Sequence, residues 1–83
     1  MINEFKQEEV VRMLTSRQKE VLELIGIFIE EHGYSPTVRE LADLCGVRSS
    51  STMHGYLDRL EKAGYICKHD TLPRTLRVIK KPS

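Results

Sequence analysis

Residues 35–62 constrain the fold most, because they hold two short helical patterns separated by a glycine. The first pattern begins at Thr37, which forms a capping-box motif with Glu40 three residues later. Its apolar residues recur at helical spacing as far as Cys45. Gly46 follows, and glycine tolerates the positive φ with which many helices end. The segment therefore predicts two helices joined by a tight turn.

The second helical pattern follows a run of serines, and we expect Ser49 or Ser50 to cap its start with a side chain. Its apolar residues predict one buried side, made by Met53, Leu57 and Leu60, with Tyr56 beside them. The opposite side carries small, polar and basic residues: Ser51, Thr52, Gly55, Arg59 and Lys62. His54 and Asp58 lie at the margins of that side. A short helix, a glycine turn and a second helix with such an outer face are typical of a DNA-binding helix-turn-helix.

A longer helix is predicted before this pair. Thr15 and Gln18 form a second capping-box motif, and Gly33 predicts an end near His32. The apolar stripe of this helix comprises Val21, Leu22, Leu24, Ile25, Phe28 and Ile29, and Ile27 lies outside it. The stripe is wider than packing against two short helices requires. The excess is available to cover residues 1–13 or to contact another protein.

After the helices, residues 65–68 and 75–79 predict two strands, joined by a loop that contains Pro73. The hairpin is basic, and because two strands alone are marginal it must pack on the helices. The predicted fold is mainly α, in the α+β class: a three-helix winged helix-turn-helix with a two-stranded antiparallel β wing. The predicted organisation is an N-terminal extension over residues 1–13, the winged helix-turn-helix over residues 14–79 and a tail over residues 80–83.

Charge is distributed unevenly along the chain, although its net value is only +1. Residues 1–46 hold nine acidic and five basic side chains, whereas residues 47–83 hold three acidic and eight basic ones. The basic part contains the second helix of the helix-turn-helix and the hairpin, which favours a polyanionic partner. No apolar run approaches the roughly 20 residues of a membrane span, and no signal peptide is recognisable, so a cytoplasmic, nucleoid-associated protein is expected.

Other chemistries find little support. Cys45 and Cys67 are interpreted as structural thiols, since a disulfide is rare in a reducing compartment. Cys67, His69 and Asp70, with His54, lack the paired spacing of a zinc site, so no metal or other cofactor is predicted. No nucleophile with a neighbouring base and no glycine-rich phosphate loop is present, and we predict no enzymatic activity.

Three stretches carry a family resemblance: LTSRQKEVLELI, GYSPTVRELADLCGVRSSSTMHGYLDRLEKAGYI and PRTLRVI. They resemble the amino-terminal DNA-binding domain of LexA repressors over residues 14–79, and SSSTMHGYL is similar to the form found in Gram-positive bacteria. The resemblance implies a winged helix that represses SOS (DNA-damage-response) genes by laying its reading helix in the major groove of a palindromic operator. Full repressors of that family carry a self-cleaving Ser/Lys peptidase domain that also dimerises them. We expect this chain, which ends at Ser83, to lack that domain.

The resemblance implies base and phosphate contacts at the start of the reading helix and one wing contact near Arg74. The predicted DNA-binding residues are Thr37, Arg48, Ser49, Ser50, Ser51, Thr52, His54, Gly55, Arg59 and Arg74. We expect a monomer in solution and two copies on a palindromic operator of double-stranded DNA. The alternative is a winged-helix protein-interaction module, or a small regulator that acts through a protein partner bound to the first helix or to residues 1–13.

Overall fold

Three helices followed by two short strands form the fold of the computed structural model, which describes residues 14–69 and 71–79. The elements are α1 (Ser16–His32), α2 (Val38–Cys45), α3 (Ser50–Lys62), β1 (Ile66–Cys67) and β2 (Arg77–Val78). The strands are antiparallel, with Ile66 opposite Val78 and Cys67 opposite Arg77. The predicted winged helix-turn-helix is confirmed. The predicted extension, residues 1–13, and the predicted tail, residues 80–83, lie outside the described residues.

The helix boundaries follow from local sequence as predicted. Thr15 caps α1 and Thr37 caps α2, each within a complete capping box. Gly33 ends α1 at φ 78° and Gly46 ends α2 at φ 71°, a left-handed conformation that costs glycine little and other residues more.

The core lies where the three helices and the strands meet. Its members are apolar side chains from every element and from the residues beside the strands: Leu14, Val21, Leu22, Ile25, Leu41, Ala42, Cys45, Met53, Leu57, Leu60, Tyr65, Ile66 and Leu76. The predicted buried side of α3 is therefore confirmed, and Val47 packs against this core from the turn between α2 and α3. Each fully buried Leu, Ile or Met stabilises the fold by about 1.5–3 kcal/mol.

The strands are shorter than predicted, since only two residues on each side pair. Beyond Cys67 the chain leaves the ladder, because the His69 amide donates to Thr75 Oγ1 at 3.0 Å instead of to a backbone carbonyl. The expected packing of the hairpin on the helices is confirmed: Leu76 is buried, and its amide donates to Ser35 Oγ at 3.2 Å.

The apolar stripe of α1 is largely used inside the domain. Leu24 and Ile29 pack partly buried against the core, whereas Ile27 is 47% exposed, consistent with its place outside the predicted stripe. Phe28 contacts the rings of His32 and Tyr34, with centroids 4.1 and 5.8 Å away. No helix in the described part of the chain is long and apolar enough to cross a membrane.

Candidate nucleic-acid interface

The outer face of α3 collects most of the predicted contact residues on one exposed surface. Arg48 and Ser49 lead into it, and six residues of the helix itself are exposed: Ser50, Ser51, Thr52, His54, Gly55 and Arg59. They lie opposite the buried Met53, Leu57 and Leu60. We call the eight exposed residues the reading face.

The start of α3 differs from the prediction in one respect. Ser49 is the N-cap residue, but its side chain makes no capping hydrogen bond, so the expected serine cap is wrong as to the side chain. The backbone explains this: Ser49 has ψ 126°, whereas the capping residues Thr15 and Thr37 have ψ 162° and 163°. The Ser49 hydroxyl is therefore not folded back over the first turn, whose amides have no acceptor within the helix.

Gly55 lies in the middle of the reading face, and a Cβ atom built there meets nothing within 4 Å. The domain itself therefore has room for a side chain at this position. Glycine destabilises a helix interior by about 1 kcal/mol relative to alanine. Packing within the domain therefore does not explain why residue 55 is a glycine.

Two predicted contact residues, Thr37 and Arg74, are engaged within the protein instead. Thr37 Oγ1 accepts a hydrogen bond from the Glu40 amide at 3.0 Å, and the Thr37 amide donates to Glu40 Oε1 at 2.9 Å. The Arg74 guanidinium donates to both Glu40 carboxylate oxygens, at 2.9 and 3.1 Å, and to the Ser35 carbonyl at 3.1 Å. It also lies 4.8 Å from the ring centroid of Tyr34.

These contacts set the protonation of Glu40. Hydrogen bonds from the Thr37 backbone and from Arg74 hold the pKa of Glu40 below its ordinary value. The carboxylate is thus ionised near neutral pH and bridges the start of α2 to the wing. Sequence reasoning identified Glu40 only as a capping residue, because Arg74 lies 34 positions away.

The other basic residues divide into paired and exposed ones. Lys68 Nζ lies 3.2 Å from Asp58 Oδ1 and 3.8 Å from Glu61 Oε1. These two ion pairs join the wing to α3. Arg48, Arg59 and Lys62 are exposed on or beside α3. Lys68 is therefore compensated by carboxylates, whereas the cations at α3 are exposed to a ligand.

Arg17 orients the helix-turn-helix and was predicted only as part of a helix start. Its guanidinium donates to the Cys45 carbonyl at the end of α2 and forms an ion pair with Glu20 of α1. A cation at a helix carboxyl end interacts favourably with the helix dipole. Arg17 thus links α1 to the end of α2.

Both cysteines are free thiols, and burial raises the pKa of Cys45. Within residues 14–69 and 71–79, no three His, Cys, Asp or Glu side chains are grouped so as to hold a metal ion. Asp70, one of the weak metal candidates, lies outside that part of the chain.

Comparison with known proteins shows the family of the chain. A family model described as the LexA DNA binding domain matches residues 11–75. The chain belongs to the LexA DNA-binding domain family. The predicted resemblance is therefore confirmed, and it covers all three helices and the wing loop.

Relatives of this LexA-family domain include the LexA repressor of Caldicellulosiruptor saccharolyticus, 46% identical over 68 residues, or 82% of this chain. The LexA repressor of Bacillus mycoides is 46% identical over 66 residues, or 80% of this chain. The matched regions are 34% and 32% of those two proteins, so the chain spans about a third of the length of the relatives it matches.

Proposed function

We propose that this LexA-family domain binds double-stranded DNA at specific operator sequences and represses transcription by occupying them. The observation that carries the proposal is the reading face, an exposed helix surface of small, hydroxyl-bearing and basic residues. The Ser49 side chain makes no capping bond at the start of this helix. A relative named LexA repressor is 46% identical to the chain over 68 residues. Repression of SOS genes in the cytoplasm is the corresponding biological role.

The residues of the reading face suit different parts of this task. The hydroxyl groups of residues 49–52 and the free amides of the first turn of α3 are donors for phosphate oxygens. Arg48 and Arg59 supply positive charge, which gives affinity and salt dependence. Thr52 and His54 carry side chains that can reach base edges in the major groove, and Gly55 allows close approach.

Thr37 is proposed to act at the edge of this surface, where the start of α2 approaches the phosphate backbone. Two copies of the domain bind one palindromic operator, with one reading helix in each half-site, about 34–36 Å apart along the DNA. We expect each copy to be a monomer before it binds.

Selection from a random-sequence duplex pool tests the proposed function. The 83-residue chain should enrich a two-fold symmetric sequence and bind it more tightly than a scrambled duplex, with affinity that falls steeply as salt rises. Sedimentation should give a monomer alone and a two-to-one complex on the selected duplex. Failure to enrich any sequence would contradict the proposal.

Gly55→Ala tests whether α3 presents this face to DNA, and Gly26→Ala is its matched control. Both glycines lie within helices, and a Cβ atom at either one meets nothing within 4 Å. Each change should therefore stabilise the domain by about 1 kcal/mol or less. Only Gly55→Ala should weaken binding to the selected duplex, because its methyl group meets DNA.

Thr52→Ala adds a test of base reading. It should leave stability within about 0.5 kcal/mol and reduce the preference for one or two base pairs by about 1–3 kcal/mol. If Gly55→Ala and Thr52→Ala both bind the selected duplex like the parent, the reading face is assigned wrongly. The protein-docking alternative, through the first helix or residues 1–13, would then be favoured.

A further inference from the structure

The Arg74 side chain contacts three groups, which lie just before α2 or in its first turn. Its guanidinium bonds both oxygens of Glu40 and the carbonyl of Ser35, and it lies over the ring of Tyr34. Glu40 is fixed in turn by its hydrogen bonds with Thr37. A residue of the wing loop is thereby attached to the first helix of the helix-turn-helix.

The Arg74 backbone indicates that this attachment determines the local conformation. Arg74 is the one non-glycine residue with positive φ, at 57°, within the part of the chain that the structure describes. A left-handed conformation is unfavourable for a residue with a Cβ, so it persists where surrounding contacts require it. Here the side-chain contacts with Glu40 and Ser35 supply that requirement.

The segment after Arg74 is attached at the same place. The Leu76 amide donates to the buried Ser35 Oγ at 3.2 Å, and the Leu76 side chain is buried. Arg74 and Leu76 lie two positions apart along the chain. Together their contacts join the part of the wing that leads into β2 to residues 35–40. We call this set of contacts the wing lock.

We propose that Arg74 is a positioning residue, which fixes the wing relative to the reading face and so sets operator discrimination. This inference rests on the proposed function. A guanidinium bound to both oxygens of one carboxylate has its charge compensated and its fork of donors occupied. General attraction to phosphate is left to exposed cations such as Arg48 and Arg59.

The structure offers a variant that removes the ion pair without removing the arginine. Glu40→Gln keeps an acceptor for the Thr37 amide, and α1 shows that glutamine completes such a capping box, because Gln18 does so with Thr15. Glu23→Gln is the control for loss of one negative charge, since Glu23 is an exposed residue of α1. Arg74→Lys keeps the charge but loses the two-pronged contact.

The experiment measures affinity for the selected duplex and for a scrambled duplex across a salt series, with Arg74→Ala, Arg74→Lys, Glu40→Gln and the double variant Arg74→Ala/Glu40→Gln. We expect every one of these changes to reduce the ratio of specific to scrambled binding by about tenfold, and the double variant to lose no more than Arg74→Ala. The salt slope should stay that of the parent, and Glu23→Gln should keep the parent's discrimination.

A direct phosphate contact by Arg74 predicts a different pattern. Arg74→Ala would then weaken binding to both duplexes equally and lower the salt slope by about 1, while Arg74→Lys and Glu40→Gln would bind like the parent or more tightly. That result would overturn the positioning role and leave the proposed function intact. A parent chain that does not distinguish the two duplexes would instead contradict the proposed function.

Amide hydrogen exchange without DNA tests the wing lock by itself. Arg74→Ala and Glu40→Gln should accelerate exchange of the Leu76 amide, while amides in the middle of α1 exchange at the parent's rate and report an intact fold. Unchanged exchange at Leu76 in both variants would overturn the proposal whatever the binding data show.

Discussion

The two helices of the helix-turn-helix begin in opposite ways. At the start of α2, Thr37 and Glu40 satisfy each other's amides, and Glu40 also binds Arg74 of the wing. At the start of α3, Ser49 holds the capping position but its side chain makes no capping bond. The first start is completed within the protein, whereas the second leaves donors and hydroxyl groups for a ligand. The start of a helix can thus serve folding, where the N-cap side chain bonds the amides of the first turn. It can serve binding where that bond is absent and the amides remain available to a ligand.

The start of α1 provides a third case, because its capping box is complete and its glutamine side chain is buried, although Thr15 is exposed. Gln18 is 5% exposed, whereas the Glu40 side chain is 41% exposed. A buried position favours a neutral glutamine, since an ionised carboxylate would lose its hydration there. The box of α2 has access to water and to Arg74, so it accommodates a charge.

Gln18→Glu should have the largest effect of the changes that probe this comparison. We expect about 2 kcal/mol of destabilisation at pH 7, measured by urea unfolding, because the new carboxylate is ionised in the unfolded chain and buried in the folded one. Burial raises the pKa of the introduced carboxyl, so the loss should shrink as the pH falls from 7 to 4. A change under about 0.5 kcal/mol at pH 7 would show that burial does not decide between the two boxes.

Thr37→Ala should destabilise the domain by about 1 kcal/mol, because α2 has eight residues and loses the hydrogen bond that closes its first turn. Thermal unfolding measures the loss, and Thr15→Ala at the matching position of α1 should have a similar effect. A much smaller loss at Thr37 than at Thr15 would mean that the wing lock holds α2 without its cap.

Glu40→Gln should change the acid dependence of stability. The pKa of Glu40 is lowered in the folded chain, so its ionised form stabilises the fold above the ordinary value of 4.5, and this contribution is lost as the pH falls through the lowered pKa. The difference in unfolding free energy between parent and variant should therefore narrow from pH 6 to pH 3. Parallel pH profiles would contradict the role assigned to the Glu40 carboxylate.

Ser49→Ala should have the smallest effect on stability, within about 0.5 kcal/mol, since no capping bond is lost. It should nevertheless weaken binding to the selected duplex, because the Ser49 hydroxyl is proposed to contact phosphate. A loss of stability close to that of Thr37→Ala would show that Ser49 caps α3 in solution and would remove the contrast between the two starts.

Features set by neighbours in sequence were predictable from the residues alone. The boxes at Thr15 and Thr37 and the left-handed ends at Gly33 and Gly46 depend on contacts across three or four residues. The exposed face of α3 followed from helical periodicity, which specifies sides of a helix without knowledge of its surroundings.

Features set by distant contacts were not predictable in the same way. The pairing of Glu40 with Arg74 spans 34 positions and needs the folded wing. Apolar alternation indicated strand faces, yet it carries no information that Thr75 would replace a ladder carbonyl as the acceptor for the His69 amide. The missing cap at Ser49 reflects a backbone angle that residue type leaves open.

The contact between Arg74 and Tyr34 gives the wing a built-in spectroscopic signal. The guanidinium carbon lies 4.8 Å from the centroid of a ring that is half exposed. Protons held over the face of an aromatic ring resonate upfield, so the side-chain protons of Arg74 report on the distance between wing and helix. Their chemical shift would record each release of the wing without a label or a change to the chain.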